Sequence, residues 1–61
     1  MTVVVARTNI SGLEYLVQTE TQVAWTSAAQ AAAQFQNVRE ATRAAMRLPS
    51  RLRAFALPLN A

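Results

Sequence analysis

The chain has 61 residues, six arginines, no lysine and three acidic residues, which gives a formal net charge of +3. This length allows one domain at most. Because histidine and cysteine are absent, disulfides, thiol chemistry and the usual zinc ligands are excluded. Three carboxylates leave little general acid–base or nucleophilic chemistry. The composition therefore predicts a protein without enzymatic activity, cofactor or metal.

Residues 1–10 are predicted to form an extended arm. The run from Thr2 to Arg7 is β-branched and apolar, which is the composition of a short strand. No second convincing strand is visible before residue 50, and a lone strand leaves its backbone N–H and C=O groups unpaired. We expect the arm to add to a partner's sheet, to pair with a symmetry mate, or to stay extended. No basic residue precedes the short apolar run, so we expect no secretory signal.

Residues 11–48 carry the pattern of one long amphipathic helix, from about residue 12 to 48, which makes the predicted fold class mainly α. Ser11 and Glu14 have the spacing of a capping box, and Pro49 supplies the stop. At about 100° per residue, the apolar side chains between these signals fall on one arc. The predicted partner-binding stripe consists of Leu13, Leu16, Val17, Ala24, Ala28, Ala31, Phe35, Val38 and Ala45.

An alternative fold is an α-helical hairpin that breaks near Thr26-Ser27, where Ser27 and Gln30 have the spacing of a second capping box. A continuous helix would be about 55 Å long and would leave too little chain to cover its own stripe. We therefore expect another copy or another protein to bury the stripe. Glu20, inside the arc, is expected to be solvated or paired with an arginine of a neighbouring chain. A second contact surface is predicted at Trp25, Ala29 and Ala32.

Four arginines recur at every fourth position and form the predicted arginine ridge: Arg39, Arg43, Arg47 and Arg51. A solvated helical face is one interpretation of this spacing. Contact with phosphates or with an acidic partner surface is the other.

Residues 49–61 are predicted to form a docking tail. Ser50 is placed to cap two turns of helix, and the residues around Pro58 should be extended. The tail carries much apolar surface for its length, in Leu52, Phe55, Leu57 and Leu59.

These features predict a small structural or assembly subunit, with a protein partner in a larger complex or with its own copies as partners. A small basic nucleic-acid-binding dimer with the ribbon-helix-helix layout is one alternative, and it needs the hairpin at Thr26-Ser27. A membrane-surface amphipathic helix is another. The longest uncharged run, 21–38, is too polar to span a bilayer. We expect a location in the cytoplasm or within an assembled particle.

Overall fold

The computed structural model describes residues 2–18 and 23–59, and its main element is one antiparallel sheet. The sheet has four strands in the order β3-β2-β1-β4. The described residues contain one α-helix and two short 3₁₀ helices, Ala29–Ala31 and Ser50–Leu52. The regular elements are β1 (Thr2–Asn9), β2 (Gly12–Gln18), β3 (Val23–Thr26), α1 (Val38–Met46) and β4 (Phe55–Leu59). The mainly-α prediction is therefore wrong, and so is the helical hairpin, because β3 ends where that hairpin would turn.

β1 is a strand, but it is one of the two inner strands of the sheet and not an extended arm. It pairs with β2 on one side and with β4 on the other. Its four consecutive residues from Val3 to Ala6 are fully buried. The backbone N–H and C=O groups of this strand thus find their hydrogen-bond partners in β2 and β4 of the same chain. The strand therefore does not need the sheet of another protein.

The predicted helix start is a β-hairpin turn. The Ser11 N–H donates to Oδ1 of Asn9 at 2.8 Å, and Gly12 has φ of +126°, a conformation that side-chain-bearing residues rarely adopt. The carboxylate of Glu14 accepts hydrogen bonds from Arg7 and does not cap a helix. The capping-box prediction for Ser11 and Glu14 is wrong because the turn places Glu14 opposite Arg7 in the antiparallel ladder.

The alanine-rich segment after β3 forms only one short 3₁₀ helix, Ala29–Ala31. The Ala33 N–H donates to the carbonyl of Leu16 at 2.9 Å, and Phe35 exchanges backbone hydrogen bonds of 2.8 and 3.2 Å with Val3. The segment thus bonds to β1 at Val3 and to β2 at Leu16, past the pair of Ala6 and Tyr15 at which the β1–β2 pairing ends. Alanine favours a helix, but a helix in water also needs an apolar face to bury. In this segment the backbone contacts with Leu16 and Val3 outweigh the helix propensity of alanine.

α1 is the only part of the predicted 12–48 helix that forms in the described residues. It begins after Asn37, whose Oδ1 accepts from the Glu40 N–H at 2.9 Å. Ala41 and Ala45 are buried against β1 and β4. The broad apolar arc on which the membrane-surface hypothesis depended is therefore absent. No helix in the described ranges combines the length and apolar character that crossing a bilayer requires.

The predicted docking tail binds its own chain, because β4 pairs with β1 over its full length. The N–H and C=O groups of Val3 bond to Phe35, on the side of β1 away from β4. Because these groups alternate in direction along a strand, those of Val4 point towards Leu57 in β4. Pro58, the next residue, consequently faces the open edge, where its missing N–H removes no hydrogen bond from the sheet. The tail is therefore part of the fold, and its proline protects an edge strand.

Candidate functional site

The two faces of the sheet have different chemistry. α1 packs on the face that carries Val3 and Val5. Directly paired residues of neighbouring strands lie on the same face, so the register assigns Val4 and Ala6 to the opposite face with their partners. We call this opposite side the apolar face, and its accessible large apolar side chains are Leu13, Tyr15, Val17, Phe55, Leu57 and Leu59.

The apolar face has a buried centre and an accessible margin. Val4 and Ala6 are fully buried, whereas Leu13 and Phe55 are each 39% exposed. Its other described members are threonines and Ala24, so no described position of this face carries a charge. Large apolar side chains grouped without a charge among them are typical of a protein-binding surface.

The five charged side chains that the strand register and α1 place lie on the helix side of the sheet. Arg7 and Glu14 share the face of Val5 by register, and Arg39, Glu40 and Arg43 lie on exposed positions of α1. The helix side thus carries these five charges, and the described positions of the apolar face carry none.

Arg7, Glu14 and Trp25 form a cluster across three strands. Nε and Nη2 of Arg7 donate to Oε1 of Glu14 at 3.0 and 2.8 Å. The guanidinium carbon lies 4.3 Å from the centroid of the Trp25 ring, within cation–π distance. Both charged side chains are about one-quarter exposed. Because Arg7 and Glu14 pair with each other across β1 and β2, we assign the cluster a role in fixing strand register.

The arginine ridge is exposed to solvent along α1 and the following 3₁₀ helix. Within the described ranges, the one ion pair is that between Arg7 and Glu14, so the four ridge arginines have no carboxylate partner there. Arg43 and Arg47 line a shallow cavity of about 280 Å³ together with Phe35 and Glu40. This arrangement can attract an anion by long-range electrostatics.

The predicted partner-binding stripe does not exist as one surface. Leu16 and Ala45 belong to the core under α1, while Leu13 and Val17 lie on the apolar face. The stripe breaks up because β2 alternates its side chains between two faces, whereas a helix would have kept them together. Ala24 is exposed on the apolar face beside Val17. The remaining members are scattered, with Ala28 and Phe35 half-buried and Ala31 and Val38 exposed.

The predicted second surface is also divided. Trp25 is half-buried against Arg7 and the core, Ala29 is half-buried and Ala32 is buried. Of the predicted tail-docking residues, Leu52 is half-buried in a 3₁₀ helix, and the other three lie on the apolar face through β4. The prediction for Glu20 lies outside the described residues.

Two residues that matter were missed from the sequence: Tyr15 on the apolar face and Arg7 in the register cluster. A signal for Tyr15 is present, because Leu13, Tyr15 and Val17 alternate with Glu14 and Leu16 immediately after a glycine turn. No comparable local signal pairs Arg7 with Glu14, since they come together only once the hairpin register is known.

The described residues contain no group of three potential metal ligands of the His, Cys, Asp or Glu type. A cavity of about 360 Å³ beside the end of α1 is lined mainly by apolar side chains, with Ser50 and Arg53 as its polar side chains. Neither observation indicates a catalytic centre. Comparison with protein families, with curated proteins and with solved structures finds no match for this chain.

Proposed function

We propose that this chain is a small non-enzymatic assembly module that binds protein through its apolar face. The observation that supports this proposal is the exposure of Leu13 and Phe55 on a sheet face that carries no charged residue among its described positions. The proposal keeps the assembly role expected from the sequence and replaces the binding element, since the long helix does not form.

The energetic argument is that this face leaves apolar area in water. Four strands span about 19 Å and four residues along each strand span about 13 Å, which is roughly 250 Å² of flat area. At about 25 cal/mol per Å², covering it contributes on the order of 6 kcal/mol before the cost of association is subtracted. That gross gain is comparable to the whole free energy of unfolding of a domain of this size. A partner that covers the apolar face would therefore stabilise the folded state.

The test compares charge insertion on the two sides of the sheet. The tagged chain is expressed in its own host, and the proteins it retains, including untagged copies of itself, are quantified. Leu13→Glu and Phe55→Glu place a carboxylate on the apolar face, and Val38→Glu makes the same charge change at an exposed position of α1. We expect retention to fall at least about tenfold for the first two variants and to be unchanged for the third. Equal retention by all variants would refute the proposal.

A second candidate function is binding of nucleic-acid phosphates by the arginine ridge. It is favoured by the lack of a described carboxylate partner for the ridge arginines. Arginine suits phosphate because its planar fork donates two parallel hydrogen bonds. The ribbon-helix-helix layout is excluded, since the described residues contain one α-helix and not two.

Fluorescence anisotropy with a labelled oligonucleotide tests the second candidate. Contacts by three arginines predict a slope of about −2 to −3 in the plot of log affinity against log salt concentration. Arg43→Gln and Arg47→Gln should each weaken binding, whereas Arg53→Gln removes the same charge outside the ridge and should have less effect. Binding that does not depend on salt, or that is unchanged by Arg43→Gln and Arg47→Gln, would exclude the ridge as a phosphate site.

A further inference from the structure

We infer that the occupant of the apolar face is a second copy of this chain, packed face to face so that two sheets enclose Leu13, Tyr15, Phe55 and Leu57 of both copies. This inference rests on the proposed function and names its partner. Two observations support it, the distribution of charge and the state of the sheet edges, and the area of the face sets the expected affinity.

The charge distribution permits two copies to approach by this face. Each copy carries a formal net charge of +3, and like-charged copies repel when their charged surfaces meet. Arg7 lies on the α1 side of the sheet by register, and the ridge arginines extend from α1 into the following 3₁₀ helix. Apposing the apolar faces therefore places Arg7 and the arginines of α1 on the outer side of each copy.

The edges of the sheet disfavour the competing mode, in which strands of two copies pair edge to edge. Pro58 lies at the open edge of β4 without an N–H to donate. β3 has only four residues. The Leu16 carbonyl accepts from Ala33 and so points away from its β3 partner, Trp25. Because backbone groups alternate along an antiparallel strand, only Val23 and Trp25 of β3 direct theirs outwards. Short and proline-interrupted edges are devices that prevent strand addition, which leaves face-to-face packing as the available mode.

The area of the face sets the expected strength. About 250 Å² of flat area per copy, doubled for two copies, is well below the 1,200–2,000 Å² of a standard interface. Standard interfaces range from micromolar to picomolar affinity, so we expect a weaker and reversible dimer with a Kd on the order of 100 μM. Two such sheets would pack about 10 Å apart, with their strand directions within about 30° of each other.

Sedimentation velocity of the purified full chain, from about 10 μM to about 1 mM, tests the inference. The expected result is a shift from the 6.7 kDa monomer towards twice that mass, half-complete near 100 μM. Phe55→Glu and Leu13→Glu should raise the Kd at least tenfold, and Val38→Glu should leave it unchanged. Circular dichroism of each variant establishes that the sheet is retained.

A second measurement keeps the test decisive if a glutamate variant unfolds. The sequence contains no cysteine, so Phe55→Cys and Val38→Cys each introduce a single thiol. Alkylation of Cys at position 55 should slow as protein concentration passes the Kd, while alkylation at position 38 should not. A monomer at every concentration, or a dimer indifferent to both face substitutions, would overturn the inference.

Failure of the dimer is distinguishable from failure of the proposed function. If the chain stays monomeric to 1 mM but still loses a bound host protein on Phe55→Glu and not on Val38→Glu, the face binds a different protein and only the second copy is refuted. If neither a dimer nor any retained protein depends on Leu13 and Phe55, both proposals fail.

Discussion

Truncation of Val5 to alanine tests whether β1 is the core of the fold or an appendage to it. The solvent exposure of Val5 is 0%, and its side chain packs with Ala41 and Ala45 of α1. Removing two methyl groups loses about 1.6 kcal/mol of transfer free energy, and the cavity that remains adds about 1 kcal/mol. We therefore expect Val5→Ala to lower the free energy of unfolding by about 2–3 kcal/mol.

This loss is large for a chain of this length. At about 0.05–0.15 kcal/mol per residue, the total stability of 61 residues is roughly 3–9 kcal/mol. A domain of 60 to 100 residues changes its Tm by about 4–8 °C per kcal/mol, so Val5→Ala should lower the Tm by about 10–20 °C. Thermal and urea unfolding followed by circular dichroism measure both quantities.

The matched control is Val38→Ala, the same chemical change at a position that is 45% exposed on α1. It should change stability by less than about 0.5 kcal/mol, because it opens no cavity and alanine is the better helix former. An extended arm, which is the sequence-based expectation for residues 1–10, would lose almost nothing at Val5. A change below about 0.5 kcal/mol for Val5→Ala would thus refute the central position of β1.

Three further experiments test local features by urea unfolding. A double-mutant cycle of Arg7→Gln and Glu14→Gln should give a coupling free energy of about 0.5–1.5 kcal/mol. This coupling should decrease in 1 M salt, as expected for a partly exposed pair. Additive effects of the two substitutions would show that the ion pair does not contribute to stability. Asn37→Ala should cost about 1 kcal/mol by removing the N-cap of α1 while Asn37→Asp retains it, and equal losses would argue against capping. Arg53→Gly should stabilise by about 0.5 kcal/mol, because Arg53 has φ of +53° in the region that glycine adopts most readily; destabilisation would show that the Arg53 side chain makes a necessary contact.

The strand character of β1 could be predicted from the sequence, and its position in the sheet could not. Three consecutive valines favour a strand by composition alone. Whether a strand is central depends on its partners, and β4 lies more than 45 residues further along the chain. The apolar composition of the tail that forms β4 does indicate a docking segment, but its binding site on β1 has no local signature.

The long-helix prediction failed because a short apolar run fits two periods. Leu13, Leu16 and Val17 match a helical face, while Leu13, Tyr15 and Val17 match one face of a strand. The second pattern determines the structure because Gly12 ends the hairpin turn and aromatic or β-branched residues come after it. The rest of the predicted helical arc consists largely of alanines. An alanine side chain buries little apolar area, so its position does not distinguish the helical period from the strand period.

Two of the stretches with capping-box spacing have glutamate as the fourth residue, and only one of these two begins a helix. Ser11 with Glu14 and Asn37 with Glu40 both have the three-residue spacing. Asn37 does cap α1, whereas Glu14 pairs with Arg7. The two stretches differ in the residues after the cap. Those after Ser11 alternate between two sheet faces, whereas those after Asn37 include buried alanines four residues apart.

The register cluster and the apolar face depend on the same alignment of strands. Side chains alternate along a strand, so a slip of one residue in the β1–β2 register would move Arg7 or Glu14 to the side that now carries none of the described charges. The bonds of Arg7 to Glu14 and its contact with Trp25 are lost in any such slip. These contacts on the α1 side of the sheet therefore select the register that keeps the opposite side apolar. Arg7, on the side away from the proposed binding face, thus contributes to the register on which that face depends.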